Sequence, residues 1–244
     1  ARLQKDIEKE RQIDEMRKQF ISNVSHELKT PITLIQGYAE GLKVNVVQEE
    51  SEKDYYCSVI IDEADKMNTL VKELLDLSQV EAGIFKLVKS PFDLAVLVDK
   101  IAAKYRPIFE EKQVKPEIIK PEKIMVNADI VRTEQILINY INNALAHVDD
   151  RKQLKLMITQ QEDKIHISLF NSGEQVPEEA LDKLFTSFYK VDKARTRGDG
   201  GSGIGLAVVK AILEKDHNRY GVENLEGGVS FWFEQDAAEP EAYD

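Results

Sequence analysis

Cysteine is almost missing from this chain: Cys57 is the single one in 244 residues. No internal disulfide can form, and such usage suits a reducing cytosol. Long apolar runs are missing too. None approaches the roughly 20 residues of a membrane-spanning helix, and no signal peptide is recognisable. Basic residues are in deficit, 33 Lys and Arg against 44 Asp and Glu, a net charge of −11. That balance argues against a nucleic-acid partner. There is no internal repeat. What is present suffices for a folded protein: 42% hydrophobic and 32% charged residues can bury a core, and the length suits one large or two modest domains.

Apolar residues recur at steps of three and four from Ile13 through Met16, Phe20, Val24, Leu28, Ile32, Ile35, Ala39 and Leu42 to Val46. This is the period of an amphipathic helix or coiled-coil seam. His26 lies two residues from both Val24 and Leu28, so at about 100° per residue it faces roughly 200° away from the seam. Glu27 stands beside it, Thr30 one turn on, and Pro31 should bend the helix there. A lone exposed histidine on a helix is most often a solvated side chain. With a carboxylate next to it, its basic nitrogen can also act as a nucleophile towards an electrophile such as a phosphoryl group.

Residues 1–20 read as a charge-dense coiled-coil entry to this helix, which should end between Lys43 and Gln48. Glu49 to Lys53 read as an acidic loop. A second amphipathic helix then runs from Tyr56 to Ala82–Gly83, where glycine supplies a stop. A hairpin with two long apolar stripes needs more cover than it gives itself, and a second copy would complete a four-helix bundle, so a homodimer is expected. Residues 13–83 form this helical domain, 84–91 a linker, 92–236 a second domain and 237–244 an acidic tail. In the second domain Asp93 should cap a helix, with strands at 115–119 and 124–127, and a helix from Asp129 to His147. A hairpin follows at 153–160 and 164–170, then a helix at 204–215 and strands at 220–223 and 229–234. Mixed in this order, they suggest an α/β sandwich with one sheet face covered by helices.

Three stretches of the second domain carry polar patterns. On the Asp129–His147 helix, Asn139, Asn143 and His147 stand at i, i+4 and i+8, one polar row. Asparagine is a middling helix former, and its amide oxygen is a hard ligand suited to Mg²⁺ bridging to phosphates. Asn171-Ser172-Gly173 reads on its own as a turn. Gly198 to Gly205, with Gly201 and Gly203 between, follows a basic segment containing Arg195 and Arg197 and opens a helix. Glycines let backbone amides approach phosphate oxygens at a helix N-terminus. The two arginines could meet those phosphates or equally stand solvated.

Together these stretches resemble the sensor histidine kinases of bacterial two-component systems over nearly the whole chain, residues 13–235. Phe20-Ile21-Ser22-Asn23-Val24-Ser25-His26-Glu27-Leu28-Lys29-Thr30-Pro31 matches the phosphoacceptor box at every position. The resemblance implies that His26 takes the γ-phosphoryl group of ATP, that Glu27 acts as general base, and that Thr30 helps orient water for dephosphorylating the partner. It implies a gyrase-like ATP-binding domain in which Asn143 ligates Mg²⁺, Asn139 stands nearby, and His147 contacts phosphate. Asn171 takes the place of the family's adenine-binding aspartate, with Gly173 after it. Ala146 stands where a lysine is common, and Gln175 where a second glycine is usual. Leu184 to Arg197 resembles the phenylalanine box and lid, and Gly201, Gly203 and Gly205 the last glycine box. The implied partners are a second copy and the receiver domain of a response regulator, with neither nucleic acid nor membrane contacted by this chain. The chain is then the cytoplasmic portion of a membrane-anchored sensor. Two rival readings stay open: a pseudokinase serving as phosphatase scaffold, and a gyrase- or chaperone-class ATPase without phosphohistidine.

Overall fold

The computed structural model describes residues 2–81, 86–191 and 203–238, and within them two compact units, residues 1–75 and 76–244. The first is a helical hairpin, α1 (Arg2–Lys43) and α2 (Glu50–Glu81). Pro31 is buried inside an α1 that continues through it unbroken. The helix stops at a Schellman-type turn: Val46 N donates to Gly41 O and Asn45 N to Leu42 O, with Asn45 left-handed at φ 54. The expected acidic loop is shorter than its sequence suggested, because α2 already begins at Glu50. Glu50 and Glu52 occupy its first turn, where carboxylates complement the helix dipole. Tyr38 of α1 meets Tyr56 of α2 edge-on, ring centroids 4.8 Å apart, and clasps the closed end. The proposed glycine stop at Gly83 lies outside the described residues.

From residue 20 to 75 only Pro31, Val47, Glu63 and Leu70 are buried. Phe20, Val24, Leu28, Ile35 and Leu42 of the seam are half-buried, and Ile32, Ala39 and Val46 are exposed.

The second unit is an α/β sandwich. A five-stranded sheet has the order β2 (Lys115–Ile119), β4 (Gln153–Gln161), β5 (Lys164–Ser172), β7 (Gly228–Asp236), β6 (Tyr220–Leu225). β2 runs parallel to β4 and the other neighbours are antiparallel. Two short strands, β1 (Ser90–Asp93) and β3 (Met125–Ala128), pair separately, so β1 draws Ser90 and Pro91 of the expected linker into regular structure. Helices α3 (Leu94–Glu111), α4 (Ile130–His147) and α6 (Gly205–Lys215) form the second layer, with a single turn α5 (Glu178–Leu181) between β5 and α6.

Alternation along the strands explains the layering. Ile165, Ile167 and Leu169 of β5 and Phe231 and Phe233 of β7 are buried under the helices, while His166 and Trp232 stack on the opposite face at 5.3 Å. Burial of each such inward side chain is worth about 1.5–3 kcal/mol. Tyr140 of α4 is fully enclosed against Phe231 and Phe233, and its hydroxyl donates to Trp232 O at 3.3 Å. Two aspartates start the helices that matter most. Asp93 Oδ1 accepts from Ala95 N, and Asp129 Oδ1 accepts from Val131 N and Arg132 N. Asp129 Oδ2 also takes Val88 N at 2.9 Å, and Lys89 pairs with Asp216 and reaches Asp236 at 3.5 Å. The last residues before β1 are thereby fixed to the sandwich.

Candidate functional site: phosphoacceptor helix and nucleotide face

On α1, His26 is exposed and Glu27 beside it half-buried. Thr30, one turn on, is exposed, and its hydroxyl donates back to His26 O at 3.4 Å. Ser25 and Thr33 bond back to Ile21 O and Lys29 O in the same way. This side of the helix therefore carries short polar side chains turned onto the backbone, with the imidazole projecting into solvent among them. An imidazole so placed is open to an incoming electrophile and to a partner's side chain.

In the second unit the row Asn139–Asn143–His147 runs along α4 over about 12 Å, eight residues at 1.5 Å each. Its members have different surroundings. Asn139 Nδ2 donates to Gly205 O at 3.1 Å and so ties α4 to the first turn of α6. Asn143 is half-exposed, and among the described residues its carboxamide has no protein hydrogen bond. His147 closes the helix. Its ring keeps an exposed edge, yet enough protein surrounds it that desolvation lowers its pKa, leaving the neutral form favoured. Asn142, off the row, accepts from Tyr105 Oη at 2.8 Å and is a packing residue.

Asn171 and Gly173 meet the C-terminal end of this row. A Cβ on Gly173 would lie 2.8 Å from His147 O and 3.4 Å from Asn171 Nδ2, an approach that only glycine permits. Asn171 is not in a turn: it pairs with Leu154 and Val229 within β5, 3% exposed. It shares the inward face with Ile165, Ile167 and Leu169. Its Nδ2 donates to Ser172 O at 3.2 Å, and among the described residues no protein donor reaches its Oδ1. At the other end of the row, Gly203 adopts φ 75 and its carbonyl accepts from Phe188 N at 2.8 Å. Phe188 itself is left-handed at φ 63. Ile204, at the N-cap of α6, makes no side-chain cap, and this helix start carries the positive end of the helix dipole.

The structure thus gathers Asn139 with Gly205, and His147 with Asn171 and Gly173, with Asn143 between them on the same helix. Arg195, Arg197 and Gly201 lie outside the described residues. The donor set fits a purine nucleotide with its cation: a buried amide acceptor at one end, an unengaged amide oxygen in the middle, and a glycine-flanked helix start at the other. Sequence reasoning placed Asp129 at the start of its helix but passed over Asp149 and Arg151, which brace these elements and carried no local signal.

Comparison with known proteins identifies a domain in each half of the chain. Residues 16–83 fit the His Kinase A (phospho-acceptor) domain, and residues 128–239 the histidine kinase-, DNA gyrase B-, and HSP90-like ATPase domain. Sensor protein SrrB of Staphylococcus aureus strain N315 is 34% identical over 228 residues, 93% of this chain. The chain belongs to the sensor histidine kinases. It comprises a phosphoacceptor hairpin and an ATP-binding sandwich, and it spans 39% of the length of that curated relative. Histidine kinase ThkA, solved in complex with response regulator protein TrrA, is 26% identical with a TM-score of 0.74, over 96% of this chain and 66% of that one. Acinetobacter baumannii histidine kinase AdeS shares the fold at a TM-score of 0.71 and 24% identity, over 88% of this chain and 98% of that one. Among the described residues of this kinase, no helix is long and apolar enough to cross a membrane.

Proposed function

We propose that this kinase phosphorylates itself on His26 from ATP and passes the phosphoryl group to an aspartate on the receiver domain of a response regulator. The observation that carries the reading is an exposed imidazole beside a carboxylate, on the same chain as an ATP-binding domain. His26 is the nucleophile towards the γ-phosphorus, and Glu27 takes or orients the proton that the attacking imidazole releases. In the sandwich, Asn171 accepts from the base, Asn139, His147 and the glycines at 203 and 205 face the phosphates, and Asn143 offers its amide oxygen to a cation. Arg195, Arg197 and Gly201, outside the described residues, are assigned to phosphate contact from the sequence resemblance. Mg²⁺, when bound, neutralises phosphate charge. Positioning and charge supply most of the rate enhancement, since the transferred phosphoryl asks little covalent chemistry of the protein.

In this reading Thr30 orients water near the regulator's phosphoaspartate, which gives the same helix a phosphatase role. The half-buried stripe of α1 supports a homodimer in which two hairpins close a four-helix bundle. A membrane-anchored parent protein would feed its signal into residues 1–20. Asn171 and Ala146 favour one second reading, a phosphatase scaffold that binds ATP weakly; the unengaged acceptor of Asn171 supports the kinase instead.

The test is incubation with γ-labelled ATP and Mg²⁺ of wild type, His26→Gln and Asn143→Ala. Label on wild type that vanishes in both variants supports the reading. Absence of label on wild type, with nucleotide bound, replaces it with the scaffold.

A further inference from the structure

Behind the Asn171–Gly173 segment stands a charged network that no step above uses. Asp149 lies two residues beyond α4. Its Oδ1 accepts from Ser172 Oγ at 2.6 Å and from Arg151 N at 3.1 Å, and its Oδ2 from Arg151 Nε at 2.8 Å. Arg151 Nη2 donates onward to Gly227 O at 2.5 Å, and Gly173 N donates to the same carbonyl at 3.2 Å. Three separate segments are thus joined: the loop after α4, the end of β5 and the turn between β6 and β7. Arg151 and, less strongly, Ser172 hold the Asp149 carboxyl down to about 2, so it is ionised at any working pH.

The network converges on one carbonyl. Ser172 is fully buried, its hydroxyl donating to Asp149 and accepting from Gln153 N at 3.2 Å, so its rotor is fixed. Ser172 O accepts from Asp149 N at 3.1 Å and from Asn171 Nδ2 at 3.2 Å. The second bond decides which end of the Asn171 amide is presented. With Nδ2 engaged, Oδ1 remains as acceptor; a rotated amide would present a donor instead. The Asp149 and Arg151 side chains are 36% and 48% exposed, and an ion pair that open contributes little to stability. Its consequence is orientation.

We propose that Asp149, Arg151 and Ser172 are positioning residues for nucleobase recognition: they hold Asn171 with its acceptor forward, selecting a base with an exocyclic amino group over one with a carbonyl in that place. The inference rests on reading Asn171–Gly173 as the base-contacting segment.

The experiment measures dissociation constants for ATP and GTP by calorimetry on the whole chain, with thermal melting and label incorporation at saturating ATP. The variants are Asp149→Asn, Arg151→Gln and Ser172→Ala. The expected result is ATP affinity weakened about fivefold, the worth of one hydrogen bond, with the ATP-over-GTP preference falling by a similar factor. Melting temperature and the rate at saturation stay close to wild type. Variants that keep both the wild-type affinity and the wild-type preference overturn the positioning. If Asp149→Asn unfolds, Ser172→Ala, which loses one hydroxyl, decides by the same ratio. A wild type that binds neither nucleotide overturns the base-site reading itself and this proposal with it.

Discussion

Replacing Asp129 by alanine removes two acceptor oxygens, which take three hydrogen bonds, at the start of the helix that carries Asn139 and Asn143. Oδ1 takes Val131 N at 3.0 Å and Arg132 N at 3.1 Å, and Oδ2 takes Val88 N at 2.9 Å. Loss of an N-cap costs about 1 kcal/mol. Losing the charge-assisted bond to Val88 adds about 1 kcal/mol more, with water making up part of the deficit. The sum is about 2 kcal/mol. For a unit the size of residues 76–244, each kcal/mol moves the melting temperature by about 2–4 °C, so Asp129→Ala should melt about 4–8 °C lower. Asp129→Asn keeps a capping oxygen and should recover at least half of the loss. Scanning calorimetry on the whole chain reads this, the transition of the sandwich being the one that ATP shifts upward. Asp129→Ala melting within a degree of wild type, or Asp129→Asn as damaging as alanine, would refute the reasoning.

Gly203→Ala places a Cβ 3.0 Å from Phe188 Cα at a φ of 75, and should cost more than about 1 kcal/mol in melting experiments while weakening ATP in titrations. Phe233→Ala empties a fully buried ring site against Tyr140 and should cost about 3–5 kcal/mol in urea unfolding, enough to populate unfolded sandwich. His147 has its pKa lowered by desolvation, so the folded state disfavours its charged form. Its contribution is therefore complete above its ordinary value near 6.5 and declines as pH falls through that value towards the lower folded one. His147→Gln should flatten that part of the stability–pH curve, which unfolding at a series of pH values would check.

The sequence carried the architecture where local signals and tertiary structure agree. Asp93 and Asp129 were readable as helix starts because a capping carboxylate acts within three residues. β4 and β5 were readable because one face is buried and the other solvated. Reading failed where pairing with distant residues overrides local preference. Asn171 and Ser172 have turn-like chemistry, yet β4 and β7 hold Asn171 in the sheet from both sides and β7 pairs Ser172. The parallel pairing of β2 with β4 was invisible for the same reason, since nothing local to Lys115–Ile119 specifies its partner. Glu50 and Glu52 look like loop residues until their place in a helix's first turn is known. The exposure of His26, by contrast, followed from periodicity alone: two residues off an apolar stripe is the far side of a helix.

The central claim is a phosphoryl group on the imidazole of His26. Wild-type protein incubated with γ-labelled ATP should be digested, and the labelled peptide sequenced and tested for stability. The account predicts label on the peptide containing His26, stable in base and lost in acid as a phosphoramidate is. Label on a serine, threonine or aspartate peptide, or label at His26 that survives acid, would contradict it.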